Sequence, residues 1–186
     1  MDLNQARFNM IEQQIRPWEV LDPNVLALLS TLRREDFVPL AHKALAFVDM
    51  EIPLGAATNQ IMLAPRVQAR LLQDLAVQPT DKALDIGTGS GFMAALLAHQ
   101  AASVLSLEID PTLAAQAQAN LQKAGVTNAV VRCADGSQGA AADGPFDVIL
   151  LSGSVAEVPA VLLQQLSIGG RLVAIVGDEP MMRTTL

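Results

Sequence analysis

Apolar and polar positions alternate in two different ways along this chain. From residue 82 onward, short apolar runs are separated by longer stretches of helical character. Ala83–Ile86, Val104–Ile109, Ala129–Cys133, Phe146–Leu151 and Arg171–Val176 are nearly continuous apolar runs. That is the pattern of strands covered on both faces. Phe92–Gln100, Pro111–Lys123 and Val155–Leu166 read as the helices between them, and Gly169-Gly170 as the turn into the fifth strand. Pro111 suits a first helical turn and Gly125 a C-terminal stop. The alternation predicts an α/β fold with a doubly wound, mainly parallel sheet. Gly136–Pro145 carries no clear helical run, and a helix there is left open.

The first 80 residues follow a helical pattern. Asn4–Ile15 reads as an amphipathic helix stopped by Pro17, and Asp22-Pro23 as the N-cap and first position of a helix reaching Leu32. Phe37-Val38-Pro39 breaks the pattern, Asp49–Gly55 reads as extended, and Pro65–Ala76 as a helix leading to the sheet. No linker and no internal repeat interrupts the chain. The reading is one domain over 1–186, with 1–78 a helical, substrate-side layer over the ligand end and 79–186 a cofactor-binding core.

The chemistry is concentrated in Ala83-Leu84-Asp85-Ile86-Gly87-Thr88-Gly89-Ser90-Gly91. A strand passing through glycines into a helix lets backbone approach a ligand and turns N–H groups toward it. A dinucleotide fingerprint needs G-x-G-x-x-G, but Phe92 stands at the third glycine. A phosphate-binding loop would need a Lys-Ser/Thr pair after its last glycine. Asp85 would repel a pyrophosphate and suits a cationic head such as that of S-adenosylmethionine; a tight structural turn is the competing reading. Glu108, followed by Ile109, ends the second strand, where a carboxylate can hold ribose hydroxyls. Asp135-Gly136 follows the third strand, either to meet an adenine amino group or simply to turn the chain. The candidate cofactor residues are thus Asp85, Gly87, Thr88, Gly89, Ser90, Gly91, Glu108, Ile109, Asp135 and Gly136.

Charge and composition narrow the partners. Net charge is −7 and the longest basic cluster, Arg33-Arg34, is followed at once by Glu35-Asp36. This argues against nucleic acid and for small molecules or protein side chains. No apolar run approaches the roughly 18 residues of a bilayer span, and the N-terminus lacks a signal pattern, so a cytoplasmic location is expected. Cys133, the single cysteine, is expected to be inert in a buried strand. His42 and His99 have no metal-ligand spacing, and no metal is expected.

Several further stretches carry a resemblance. Val20–Leu26, Arg34-Glu35-Asp36-Phe37-Val38-Pro39 and Ile52-Pro53-Leu54-Gly55 lie upstream of the glycine loop, and Gly144–Asp147 and Gln165–Val173 downstream. With ALDIGTGSGF and Asp135-Gly136, the chain resembles the protein-L-isoaspartate O-methyltransferases over nearly its whole length. The resemblance implies a Rossmann-like, seven-stranded sheet and S-adenosyl-L-methionine as cofactor, released as S-adenosyl-L-homocysteine. It also implies methylation of L-isoaspartyl carboxylates in damaged proteins or peptides.

Two departures stand out. The family's Thr-Ile-Ser-x-Pro segment corresponds to Ile61-Met62-Leu63-Ala64-Pro65, so Leu63 occupies the serine position. The segment from Gly55 is longer by about two residues, and Thr58, Asn59 or Gln60 are the candidates for a replacement hydroxyl or amide. The family's sheet also adds a hairpin after the fifth strand; here Met182–Leu186 can begin a sixth strand, leaving the hairpin incomplete, with a truncated chain or an edge covered by a second subunit as the two readings. A methyltransferase for a different small-molecule acceptor, and a cofactor-binding relative without catalysis, remain as alternatives.

Overall fold

The computed structural model describes residues 2–55, 60–178 and 181–186. Helices α1 (Leu3–Met10) and α2 (Pro23–Thr31) open the chain, with a π-helical turn at Ile11–Ile15 and a 3-10 turn at Arg16–Trp18 between them. Strands β1 (Ile52–Pro53) and β2 (Ile61–Met62) form a small antiparallel pair, followed by α3 (Pro65–Leu75). The core then runs β3 (Lys82–Ile86), α4 (Phe92–Gln100), β4 (Ser103–Glu108), α5 (Pro111–Lys123) and β5 (Ala129–Cys133). It ends with β6 (Phe146–Val155), α6 (Ala160–Leu163), β7 (Leu166–Asp178) and β8 (Met181–Thr185).

Local chemistry fixes several of these boundaries. The Asp22 carboxylate accepts hydrogen bonds from the Asn24 and Val25 amides at 2.7 and 3.3 Å. Asp110 does the same for Thr112 and Leu113 at 2.7 and 3.0 Å. Each carboxylate satisfies amides that have no partner within the helix, and a proline sits in the first turn of both helices. Helix α4 is apolar all round, and Phe92 to Ala98 are all buried. It lies between the sheet on one side and α3, α5 and the N-terminal residues on the other.

The sheet has six strands in the order β5-β4-β3-β6-β7-β8. All neighbours are parallel except β7 and β8. Helices α3, α4 and α5 cover one face within the larger apolar cluster; α6 covers part of the other with Leu162. The chain leaves β3 in one direction for β4 and returns past it to β6. That reversal opens a crevice beyond the carboxyl ends of β3, β4 and β6, where open α/β sheets bind ligands.

Some expectations need correcting. The helix expected over Val155–Leu166 is only Ala160–Leu163, because β6 runs on to Val155 and β7 starts at Leu166. Pro159, the N-cap residue, biases Val158 away from helical geometry, which keeps the helix from reaching back to Val155. Cys133 is exposed, not buried, since β5 is an edge strand. Gly136–Pro145 holds two 3-10 turns, Gly136–Gln138 and Ala141–Asp143. The sixth strand expected near Met182 is β8, and the described sheet has six strands, not the seven that the resemblance implied.

Candidate functional site

The glycine loop after β3 is held by the strand beside it. The Gly87 and Thr88 amides donate to the Leu107 carbonyl at 2.9 and 3.2 Å, and the Gly91 amide donates to Thr88 O at 2.9 Å. The Gly89 amide donates to Glu108 Oε2 at 2.8 Å, and Glu108 Oε1 accepts from the Asp110 amide at 3.0 Å. The expectation that this loop turns its N–H groups to a ligand is therefore corrected for these four amides. With these four amides engaged and the Glu108 carboxylate against the loop, a pyrophosphate is disfavoured here. Gly87 has φ +90°, and a Cβ there would stand 3.3 Å from the Gly153 amide nitrogen. Only glycine lets the loop pass so close to the end of β6.

Asp85 lies beneath the crevice rather than on its wall. The parallel register sets it beside Ser106 and Leu150. The carboxylate is fully buried and accepts hydrogen bonds from Ser106 Oγ at 2.6 Å and Ser152 Oγ at 2.8 Å. The hydroxyls of Thr88 and Ser106 are 2.6 Å apart, which extends this polar chain under the loop. Burial pushes the Asp85 carboxyl up to about 6; the two serine hydroxyls pull it down, and Glu108 pushes it further up. Thr88 and Ser90 are also buried, and the Ser90 carbonyl accepts from Asn120 Nδ2 at 2.9 Å. Gly91, at φ +85°, would bring a Cβ within 3.2 Å of the Ala117 carbonyl. These residues build the loop and dock it on α5.

The crevice itself has two connected parts. One, of about 250 Å³, is walled by Ile86, Leu151 and Leu162, with Asp135 and Gly136 at its rim. The Asp135 Oδ1 accepts from the Ser137 amide at 2.9 Å. A Cβ at Gly136 would collide with Ile86 Cγ2. The other part, of about 390 Å³, lies between Gly89 and Ser152 on one side and Leu54, Gln60, Ile61 and Leu63 on the other. Gly87, Glu108, Ile109, Gly153 and Ser154 border both. Of the sequence candidates, Gly87, Gly89, Glu108, Ile109, Asp135 and Gly136 are thus brought together at the crevice.

Sequence reasoning missed Ser152, Gly153 and Ser154. The signal was present: three small residues directly follow the apolar run Phe146–Leu151, as Glu108 and Asp135 stand at the ends of the runs before it.

The acceptor side is built by the β1–β2 pair. The Leu54 amide donates to the Gln60 carbonyl at 2.8 Å. Thr58 and Asn59 lie outside the described residues. Gln60 Nε2 donates to Asp110 Oδ2 at 2.8 Å, tying the pair to the start of α5. Helix-capping bonds from Leu113, and then Gln60, hold the Asp110 carboxyl below its ordinary range. Leu63 borders the crevice, and its side chain offers no hydrogen bond. Its carbonyl accepts from Arg34 Nη2 at 3.0 Å. The buried Arg34 also donates from Nε to the Ala46 carbonyl at 2.9 Å and from Nη1 to Gln68. Its guanidinium lies 5.3 Å from the centre of the Phe92 ring. Burial lowers the guanidinium to about 9, opposed by the charge of Asp49. The sequence marked Arg34 as half of a short basic pair and as the start of the Arg34–Pro39 stretch, without a role at the site.

Comparison with known proteins identifies the family and the fold. The family model for protein-L-isoaspartate(D-aspartate) O-methyltransferase matches residues 5–185. The protein-L-isoaspartate O-methyltransferase 2 of Marinobacter nauticus is 41% identical over 178 residues, 96% of this chain and 80% of that protein. That of Koribacter versatilis is 41% identical over 178 residues, 95% of this chain and 78% of its own length. Among solved structures, a Plasmodium falciparum beta-aspartate methyltransferase in complex with S-adenosyl-L-homocysteine shares the fold at TM-score 0.78. The identity is 18%, with 97% of this chain and 87% of that one covered.

Proposed function

The chain belongs to the protein-L-isoaspartate(D-aspartate) O-methyltransferase family, and from that premise we propose how its own residues serve an S-adenosyl-L-methionine-dependent transfer to an isoaspartyl carboxylate. The apolar part of the crevice has the size and lining of an adenine slot, with Asp135 at its rim. Glu108 stands at the junction of the two parts. Two backbone amides hold its carboxylate, which retains lone pairs for a ribose diol. The donor set fits a cationic nucleoside and disfavours a phosphate, for the amide and charge reasons given above. This fit at Glu108 is the observation that carries the reading.

The bound cofactor supplies the methyl group as an electrophile. The residues of the chain have to align the acceptor. An isoaspartyl carboxylate is ionised near pH 7, so it needs orientation rather than a strong base. Leu63 cannot donate to it. Ser152 and Ser154 border the acceptor part, and we assign their hydroxyls the orienting role. Ser152 also donates to the ionised Asp85, so Ser154 is the donor with the fewer commitments. Gln60 closes the opposite wall and keeps one amide hydrogen beyond its bond to Asp110. The division into a substrate-side layer at 1–78 and a cofactor core at 79–186, within one domain, is part of this reading. So is a cytoplasmic site of action; no described helix is long and apolar enough to cross a membrane.

Calorimetric titration with S-adenosyl-L-homocysteine tests the cofactor half. Micromolar binding that weakens in Glu108→Ala supports it. Absence of heat, or equal affinity in the variant, contradicts it. Ser154→Ala tests the acceptor half: methyl transfer to an isoaspartyl peptide should fall by about tenfold or more, and by a larger factor than the affinity for S-adenosyl-L-homocysteine, since Ser154 borders both parts.

A further inference from the structure

Leu54 and Leu113, which wall the acceptor part of the crevice, also wall a second concavity of about 470 Å³. It lies between α5 and the 3-10 helix Leu40–Leu45. Its apolar side includes Val38 and Leu40, and Leu40 is 85% exposed. Its polar side carries Lys43 and Lys123, at the last turns of their helices. Neither lysine forms an ion pair with a described residue. The acid on this wall, Asp36, is already engaged by Arg33 Nε at 3.2 Å. Two cations without an ion-pair partner among the described residues thus stand beside an exposed leucine in a chain of net charge −7.

We infer that this concavity is a subsite for the polypeptide substrate, receiving an acidic and an apolar residue that flank the methyl-accepting one. The inference rests on the isoaspartyl reading and adds a sequence preference to it. The occupant follows from continuity and charge. A polypeptide whose isoaspartyl carboxylate sits by Ser154 must leave over the Leu54–Leu113 saddle or away from it. An extended chain advances about 3.3–3.6 Å per residue, so its near neighbours reach the second concavity across a shared wall. There Lys43 and Lys123 attract carboxylates and Leu40 meets an apolar side chain. Neither lysine touches the crevice at Glu108, so the cofactor does not depend on them.

The test is the affinity of isoaspartyl peptides for the protein saturated with S-adenosyl-L-homocysteine. Three peptides are compared: neutral flanks, Glu-Glu-Leu on the amino side, and Leu-Glu-Glu on the carboxyl side. One acidic peptide should bind roughly fivefold tighter than the neutral one, and about 0.5 M salt should erase the gain. The advantage should vanish in Lys43→Gln/Lys123→Gln and invert in Lys43→Glu/Lys123→Glu. Both positions are exposed, so an unchanged melting temperature is expected. Equal binding of the three peptides, or an advantage kept by both variants, overturns the subsite alone. Absence of binding by every peptide overturns the isoaspartyl reading and the subsite with it. Methylation of the neutral peptide, followed in parallel, reports on the isoaspartyl reading independently.

Discussion

The backbone amide of Gly89 donates to the Glu108 carboxylate at 2.8 Å, so the residue we assign to the ribose also holds the glycine loop. Glu108→Ala removes both. A hydrogen bond to a charged group contributes about 1.5–3 kcal/mol, so affinity for S-adenosyl-L-homocysteine should fall by about 10- to 100-fold. Glu108→Gln keeps an acceptor and should lose less. Calorimetry on the two variants separates the roles.

Asp85 gives the protein a pH-dependent stability. Its folded carboxyl is raised from 3.8 to about 6. A raised acid favours the native state below its unfolded value, and that stabilisation is lost as pH rises through 6. Asp85→Asn removes the titration, and Ser106 and Ser152 can rotate to accept from the amide. Thermal denaturation should show the variant matching the parent near pH 4. It should gain stability above pH 6, with an upper bound on the order of 3 kcal/mol. Parallel curves across this window would rule the assignment out.

Gly91 tests the separation of loop building from ligand contact. Alanine there takes φ +85° and meets the Ala117 backbone at 3.2–3.3 Å. The expected cost is about 1–3 kcal/mol in urea denaturation. At temperatures where the variant is folded, its affinity for S-adenosyl-L-homocysteine should lie within about threefold of the parent.

Arg34 anchors the acceptor wall through the Leu63 carbonyl while buried over Phe92. Arg34→Met leaves the Ala46 and Leu63 carbonyls without this donor. It should destabilise the protein by about 3 kcal/mol and raise KM for a peptide substrate more than it lowers product-cofactor affinity. Arg34→Lys cannot reproduce the fork of donors and should recover only part of the loss.

Much of this arrangement is legible in the order of residues. The five parallel strands were visible because fully covered strands are apolar throughout. Helices α4 and α5 were visible because Gly91, Pro111 and Gly125 punctuate them. The last loop-to-strand passages were not. Val155–Leu166 has helix-like composition, yet β6 and β7 take its ends, because pairing with neighbours outweighs local preference. Burial of Cys133 was misjudged because strand order, which places β5 at an edge, is not written in the strand itself. Position at strand ends was enough to bring Glu108 and Asp135 to the crevice, and the same rule applied to β6 would have brought Ser152–Ser154 there. Asp85 was read as a ligand contact because sequence gives the strand end but not the depth. Cross-strand register with Ser106 turns its carboxylate inward. Arg34 could not be singled out, since its partners at 46, 63 and 68 meet only through the tertiary fold.

The central claim is that this crevice delivers a methyl group to an isoaspartyl carboxylate although Leu63, on its acceptor side, has no side-chain donor. The direct measurement pairs an isoaspartyl peptide with its normal aspartyl twin, each incubated with the protein and methyl-labelled S-adenosyl-L-methionine. The account predicts label as a base-labile methyl ester on the isoaspartyl peptide only, strongly reduced by Ser154→Ala. Cofactor binding with no ester on either peptide, or equal labelling of the two, would contradict it.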